Sequence, residues 1–171
     1  DIVKQGKALY IGISKYPPEQ ARQAYEMMKE AGVPCLISQY RYSMFERTIE
    51  SETIPLADEY GSGVIAFSPL AQGLLTDRYL NGIPKNSRAA RSTGFLKLEQ
   101  VTDEKIAKAK ELNELAVRRG QTLAEMALAW VLKDERMTSV IVGASSVKQL
   151  EANLHTLNNL SFTSEELTLI D

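Results

Sequence analysis

Polar side chains follow directly after four apolar runs of this 171-residue sequence. The residues at the ends of these runs are Ser14-Lys15, Ser38-Gln39, Phe67-Ser68 and Gly143-Ala144-Ser145. If the apolar runs are parallel β-strands, these residues meet at the carboxyl edge of one sheet, where ligands bind in α/β proteins. Hydroxyl, amide and cationic groups at that edge can hold an anionic ligand. Serine is also common in ordinary turns, so solvated turns are the alternative that the spacing alone leaves open.

The longest polar segment that follows an apolar run lies in residues 63–88. Its apolar part, residues 64–67, stops at Ser68-Pro69, and a long loop follows. The polar side chains of that loop are Gln72, Arg78, Lys85 and Arg88. An arginine side chain presents a fork of donors that fits phosphate oxygens, so this loop can hold an anion. Solvated loop charges are the alternative for Arg78 and Arg88.

Repeated strand–helix units must position these polar residues. The predicted strands are 8–13, 35–40, 64–67 and 139–142, and the predicted helices begin at Pro17-Pro18, near Ser51, and at Asp103, Leu123, Ser146 and Ser164. The sequence Thr122-x-x-Glu125 is a capping box for the helix at 123–132, which is apolar nearly all round. The predicted strands lack hydrophobic alternation, which indicates a parallel sheet buried on both faces.

Composition argues against several classes of protein. The 20 basic and 22 acidic side chains give a net charge of −2, so no basic field attracts nucleic acid. The apolar runs are much shorter than a bilayer span, so no membrane association is expected. Cys35 is the single cysteine, which fits the reducing conditions of the cytoplasm, and no cysteine–histidine spacing predicts a metal site.

The recurring unit predicts an α/β fold. The sequence Gly12-Ile13-Ser14-Lys15-Tyr16 after the first strand is not a GxGxxG loop, so a doubly wound dinucleotide fold loses support. An eight-fold βα barrel remains, and four strands are about half of one. The chain opens on Asp1 and closes soon after a helix begins at Ser164, so we expect a piece of a longer protein.

Four segments resemble the second half of an aldo-keto reductase. They are GKALYIGIS, SQYRYSMF, AFSPLAQGLLTDRYLNGIP, and SVIVGAS followed by KQLEANL. The likeness covers essentially all 171 residues. It is strongest to the family's bacterial L-glyceraldehyde 3-phosphate reductase branch and slightly weaker to the β-subunits of voltage-gated potassium channels. It implies that residues 1–171 form one partial domain, the C-terminal half (strands 5–8) of a (β/α)8 TIM barrel, without the first half.

The resemblance also implies an NADP(H) site across the barrel mouth. The implied cofactor contacts are Ser14, Lys15, Gln39 and Phe67 near the nicotinamide, Ser68, Pro69, Leu70, Ala71 and Gln72 at the pyrophosphate, Arg78, Asn86 and Arg88 along the loop, and Gly143, Ala144, Ser145, Gln149 and Asn153 at the adenosine end. Gln39 would hydrogen-bond the nicotinamide carboxamide, and Phe67 would stack on the ring. The helix after Ser145 would favour the adenosine 2′-phosphate at its N-terminus.

Some positions have a second interpretation or depart from the family pattern. Gln149 also fits a capping box, Ser146-x-x-Gln149, and then only holds the start of a helix. The family often has a glutamate just before its asparagine, whereas this chain has Ala152 there and Glu151 one residue earlier. His155, the single histidine, is expected to be solvated or packed.

The activity that the resemblance implies is NADP(H)-dependent reduction of small aldehydes, such as glyceraldehyde 3-phosphate or methylglyoxal, by the full-length protein. The family's proton-donating tyrosine and its lysine, aspartate and histidine partners belong to the first half of the barrel, so no catalytic residue is assigned here. The alternatives are a nucleotide-sensing regulatory β-subunit of a channel and a non-catalytic nucleotide-binding fragment. Exposed sheet edges predict pairing with the missing half or with another copy of the chain.

Overall fold

The computed structural model describes residues 2–84, 89 and 96–171. Its strands are β1 (Gly12–Ser14), β2 (Ile37–Arg41), β3 (Gly63–Phe67) and β4 (Met137–Val140). Its α-helices are α1 (Pro18–Glu30), α2 (Thr53–Glu59), α3 (Asp103–Arg118), α4 (Leu123–Leu132), α5 (Val147–His155) and α6 (Ser164–Ile170). Short 3-10 turns lie at Ala71–Gly73, Asp77–Tyr79, Leu98–Gln100 and Thr156–Asn158. Within these described parts, none of the helices combines the length and the apolar character that crossing a membrane requires.

The four strands form one parallel sheet in the order β1-β2-β3-β4. Ser14 pairs with Gln39, Gln39 with Ile65, and Ile65 with Ser139, so one row of side chains crosses the whole sheet. The predicted α/β class with a parallel sheet is confirmed. Strand β1 is shorter and later than the predicted 8–13, because its pairing with β2 begins only at Gly12.

Burial alternates along the two central strands. The buried positions are Ser38, Tyr40, Val64 and Ala66, and the half-buried ones are Ile37, Gln39, Gly63, Ile65 and Phe67. The expectation that both faces of the sheet are buried is therefore wrong within the described residues. The core buries one face, whereas the other face, which carries Gln39 and Phe67, keeps partial access to solvent.

Helix α4 lies at the centre of the core. Its side chains from Met126 to Val131 are buried, as the apolar sequence of this helix predicts. Trp130 is fully buried and packs against Tyr42, with ring centroids 5.2 Å apart. The predicted capping box is present, because Thr122 Oγ1 accepts from the Glu125 N–H and Glu125 accepts from the Thr122 N–H. Since α4 contacts β4, this buried helix fixes the last strand of the sheet.

Candidate functional site

A cleft of about 650 Å³ opens at the carboxyl edge of β3 and β4. The segment 68–79, which follows β3, forms one wall, and residues 141–153, from the end of β4 into α5, form the other. The predicted site residues that line the cleft are Ser68, Pro69, Leu70, Gln72, Arg78, Gly143, Gln149 and Asn153. The structure therefore brings together residues from two strand ends that are far apart in sequence.

A second group of predicted residues lies along the same edge of the sheet but does not line the cleft. Ser14 and Gln39 are register partners, and the Lys15 N–H donates to the Gln39 carbonyl over 3.0 Å. Phe67 is the last residue of β3, and its carbonyl accepts from the Tyr42 N–H at 3.3 Å. Gln39 and Phe67 are half-buried on the open face of the sheet. The edge thus offers an amide and an aromatic ring beside the cleft.

Left-handed backbone is concentrated at this edge. Among the described residues, the non-glycine residues with positive φ are Lys15 (61°), Ser68 (55°), Ala71 (46°) and Gln72 (60°). All four belong to the predicted site. Each such conformation costs a residue with a Cβ about 1–2 kcal/mol. Strain of this kind persists where the surrounding structure holds it, and it clusters at functional sites.

The turn after β3 exposes backbone donors. Leu70 has right-handed angles near the bridge region (φ −94°, ψ 18°), and the left-handed residues Ala71 and Gln72 follow it. Alternation of this kind turns successive N–H groups toward one side and creates an anion-binding concavity. Within the described chain, neither the Leu70 nor the Gln72 N–H donates to another backbone group, whereas the Ala71 N–H donates to Ser68 at 2.9 Å. Two N–H groups are thus available at the cleft wall.

Arg78 lies on the same wall, in a short turn that the side chain of Thr76 stabilises. Thr76 Oγ1 donates to the Gly73 carbonyl at 2.7 Å and accepts from the Arg78 N–H at 3.2 Å. Arg78 is exposed and lines the cleft, so its guanidinium can reach a phosphate there. The other two predicted loop contacts, Asn86 and Arg88, lie outside the described residues.

The start of α5 shows how Gln149 is held. Ser146 Oγ accepts from the Gln149 N–H at 3.2 Å, as the predicted cap requires. The Gln149 side chain does not complete the box; its Oε1 accepts from the Ser145 N–H at 2.8 Å and from the Ser145 hydroxyl at 3.0 Å. A backbone N–H can only donate, so the amide oxygen is the atom that faces Ser145. The Gln149 Nε2 group remains as a donor, and Gly143 and Ala144 lie exposed just before this turn.

Asn153, one turn after Gln149, has an unsatisfied donor. Its Nδ2 atom is buried and has no hydrogen-bond partner, although the residue lines the cleft. A buried donor without an acceptor costs about 1–3 kcal/mol. A ligand acceptor at this position would recover this cost.

Tyr40 supports the edge from the buried side. Its hydroxyl donates to the Tyr16 carbonyl at 3.1 Å, which ties the loop after β1 to β2. Burial raises the pKa of Tyr40 to about 12. The phenol therefore stays protonated at neutral pH and acts as a structural donor for the loop that contains Lys15.

His155 has a partner away from the cleft. Its Nδ1 lies 3.0 Å from Glu125 Oε1, and its side chain is largely exposed. Burial raises the pKa of the Glu125 carboxyl, but hydrogen bonds from Thr122 and His155 outweigh burial and hold that pKa below its usual value. His155 thus connects α5 to α4, a role more specific than the expected solvation or packing.

Several cleft residues were missed by the sequence analysis. They are Gly73, Thr76, Asp77, Tyr79, Ala124, Ile141, Val142 and Ala152. Asp77 had a usable signal, since it directly precedes Arg78 in a loop already assigned to the site. Ala71, predicted as a contact, is buried behind the wall, and its role is to shape the turn. Across the described part of the chain, no group of three or more His, Cys, Asp or Glu side chains could hold a metal ion.

Comparison with known proteins identifies the family. The Aldo/keto reductase family model matches residues 1–171, and the chain belongs to that family. It is 47% identical over 173 residues to an L-glyceraldehyde 3-phosphate reductase of Escherichia coli O157:H7, and 46% identical to the protein of that name from Escherichia coli strain K12. Each match covers 99% of this chain and 50% of the relative, so the chain spans about half the length of the curated relatives it matches. The predicted resemblance is confirmed.

Proposed function

We propose that this chain is the nucleotide-binding half of an NADP(H)-dependent aldehyde reductase. The observation that carries the proposal is the cleft of about 650 Å³, where the turn after β3 meets the start of α5. It combines free backbone N–H groups, Arg78 and the orphaned Asn153 amide, next to the edge that carries Gln39 and Phe67. The proposal covers residues 1–171 as one partial domain of a cytoplasmic protein.

The open face of the sheet supports a barrel interior. Ile37 lies between two glycines of the neighbouring strands. A Cβ at Gly12 would be 2.5 Å from the Ile37 carbonyl oxygen and 3.5 Å from its Cγ2, and a Cβ at Gly63 would be 2.8 Å from Ile37 Cδ1. The interior of a (β/α)8 barrel is filled by layers to which alternate strands contribute their large side chains. We infer that β1 to β4 are strands five to eight of such a barrel. Four further strands, from the rest of a longer chain or from another copy, would cover this face.

The residues present fit NADP(H). The Gln39 amide can both donate to and accept from the nicotinamide carboxamide, and Phe67 offers a flat face to the ring. The N–H groups of Leu70 and Gln72, with Arg78, suit the pyrophosphate. The start of α5, with Ser145 and the Gln149 amide, suits the adenosine 2′-phosphate. When bound, NADPH supplies the hydride for carbonyl reduction, and these residues would hold and orient it.

The proposed substrates are small aldehydes, such as glyceraldehyde 3-phosphate or methylglyoxal. This choice rests on the names of the two relatives and on the family. We infer that the proton donor and its partners lie in the other half of the barrel, since the family's catalytic tyrosine, lysine, aspartate and histidine belong there. The residues of this chain then determine cofactor affinity, and the aldehyde is positioned together with the other half.

The experiment is to incubate the full-length protein with NADPH and each aldehyde and to follow the absorbance of the reduced nicotinamide. The expected result is saturable NADPH binding and oxidation with at least one of these aldehydes. Tight NADPH binding without turnover of any aldehyde would favour the regulatory alternative. Absence of NADPH binding would overturn the proposal altogether.

A further inference from the structure

The Asp77 carboxylate lies in a cleft whose other polar groups suit an anion. It occupies the wall formed by residues 68–79, directly before Arg78, and it is exposed to the cleft. Within the described residues its side chain has no hydrogen bond or ion pair, and its backbone carbonyl accepts from the Leu80 N–H. An ionised carboxylate can only accept hydrogen bonds. The part of a ligand that binds Asp77 must therefore donate, which excludes the phosphate groups.

The opposite wall offers the complementary group. Asn153 Nδ2 is a buried donor without a partner, and it lines the same cleft on α5. One wall thus presents an acceptor and the other a donor. A ligand that satisfies both must carry a donor and an acceptor.

Apolar side chains define the shape of the space between these two groups. Leu70, Ala124, Ile141 and Ala152 line the cleft together with Asp77 and Asn153. Apolar walls favour a flat ring over a hydrated sugar. The small side chain of Ala152 also leaves room beside Asn153. Two parts of a nicotinamide dinucleotide have this combination, the nicotinamide carboxamide and the adenine ring, whose exocyclic amino group donates and whose adjacent ring nitrogens accept. Since Gln39 and Phe67, which suit the nicotinamide, do not line the cleft, adenine is the group assigned to it.

We propose that Asp77 determines base specificity by accepting a hydrogen bond from the exocyclic amino group of adenine, while Asn153 donates to a ring nitrogen. This inference rests on the proposed nucleotide function and adds a residue to it. Asp77 supplies a carboxylate from the other wall of the cleft.

The test uses the full-length protein and two nucleotides, NADPH and its analogue with hypoxanthine in place of adenine. The analogue has a carbonyl where adenine has the amino group, so it offers Asp77 a second acceptor, whereas its N7 remains an acceptor for Asn153. We expect the unsubstituted protein to bind NADPH about tenfold more tightly than the analogue, the effect of one mismatched polar contact. The variant Asp77→Asn should bring the ratio of the two dissociation constants close to one, because an amide can also donate to the carbonyl.

The matched control is Asp58→Asn, an exposed aspartate on α2 outside the cleft, which should leave the ratio at the unsubstituted value. Equal affinity of the unsubstituted protein for the two nucleotides would overturn the inference while leaving the nucleotide site intact. A loss in Asp77→Asn that is the same for both nucleotides would also overturn it, since a ribose contact gives that result. If NADPH does not bind at all, the proposed function itself fails.

Discussion

The carboxyl edge of the sheet and the buried face of the sheet differ in how their polar groups are satisfied. On the buried face, Ser38 has no exposure, and its hydroxyl bonds to Tyr25 at 2.6 Å and to Ser62 at 3.1 Å. Gln39, the next residue, faces the open side and belongs to the candidate site. Adjacent residues of one strand therefore have different roles, one in holding the fold and the other in meeting a ligand.

Backbone strain separates the two regions most clearly. All the described non-glycine residues with positive φ lie at the carboxyl edge. Unsatisfied side-chain atoms are a weaker criterion, because Trp130 Nε1 and Thr156 Oγ1 in the core also lack partners, as Asn153 Nδ2 does at the cleft. The comparison indicates that the edge keeps a costly backbone geometry for binding, whereas the core contributes stability.

The largest expected effect comes from the core. Trp130→Ala removes a fully buried ring that packs against Tyr42, and it should lower the free energy of unfolding by about 3–5 kcal/mol. Denaturant unfolding measures this change. At temperatures where the variant is folded, its NADPH affinity should match that of the unsubstituted protein. A specific loss of NADPH affinity in the folded variant would contradict the view that the core provides stability and the carboxyl edge binds the ligand.

Asn153→Ala should show the reverse pattern. It removes the orphaned donor from the cleft, so the unliganded protein should be as stable as before or slightly more stable. NADPH affinity should fall about tenfold, because the contact to the adenosine end is lost. Thermal unfolding and calorimetric titration measure the two quantities. Asn158→Ala, at an exposed asparagine beyond α5, is the control and should change neither.

Ala71→Gly tests the strain directly. Ala71 has φ 46°, which glycine adopts without a steric penalty, so the variant should gain up to about 1 kcal/mol in stability. The matched control is Ala66→Gly in β3, a buried residue on the core side, which should lose about 1 kcal/mol. Equal losses in the two variants, measured by denaturant unfolding, would show that the turn stores no strain.

The smallest expected effect is a pH dependence through Glu125. Its folded-state pKa lies below the usual value, so its carboxylate stabilises the protein above the unfolded-state pKa, and this contribution is lost as the pH falls through the folded pKa. Stability measured from pH 7 down to about pH 3 should therefore fall as this carboxylate is protonated. Glu125→Gln keeps a side chain that can cap α4 and should flatten this part of the profile. An unchanged profile would exclude Glu125 as the cause.

Local sequence signals predicted much of the fold. The order of strands and helices, the capping box at Thr122 and the buried character of α4 all follow from residue types within a few positions. The start of β1 could not be predicted, because it depends on where β2 offers a partner. One-sided burial also escaped prediction, since apolar strand residues look the same whether or not a second layer covers them.

The sequence predicted which residues form the site better than it predicted their geometry. Polar strand ends and the family likeness gave the cleft residues, but no local pattern shows that Ala71 and Gln72 are left-handed, because both residue types usually avoid that region. The bond between Gln149 and Ser145 competes with the predicted capping box, and sequence alone does not rank the two. Asp77 faces the cleft because of the turn in which it lies, which spacing did not define.

The central claim is that the carboxyl edge binds NADP(H), and calorimetric titration of the full-length protein with NADPH tests it most directly. The account predicts saturable binding that Gln39→Leu weakens by about tenfold or more, because leucine cannot hydrogen-bond the carboxamide. Gln23→Leu, on helix α1, serves as the control and should bind as the unsubstituted protein does. No saturable binding, or equal affinity of Gln39→Leu and the unsubstituted protein, would contradict the account.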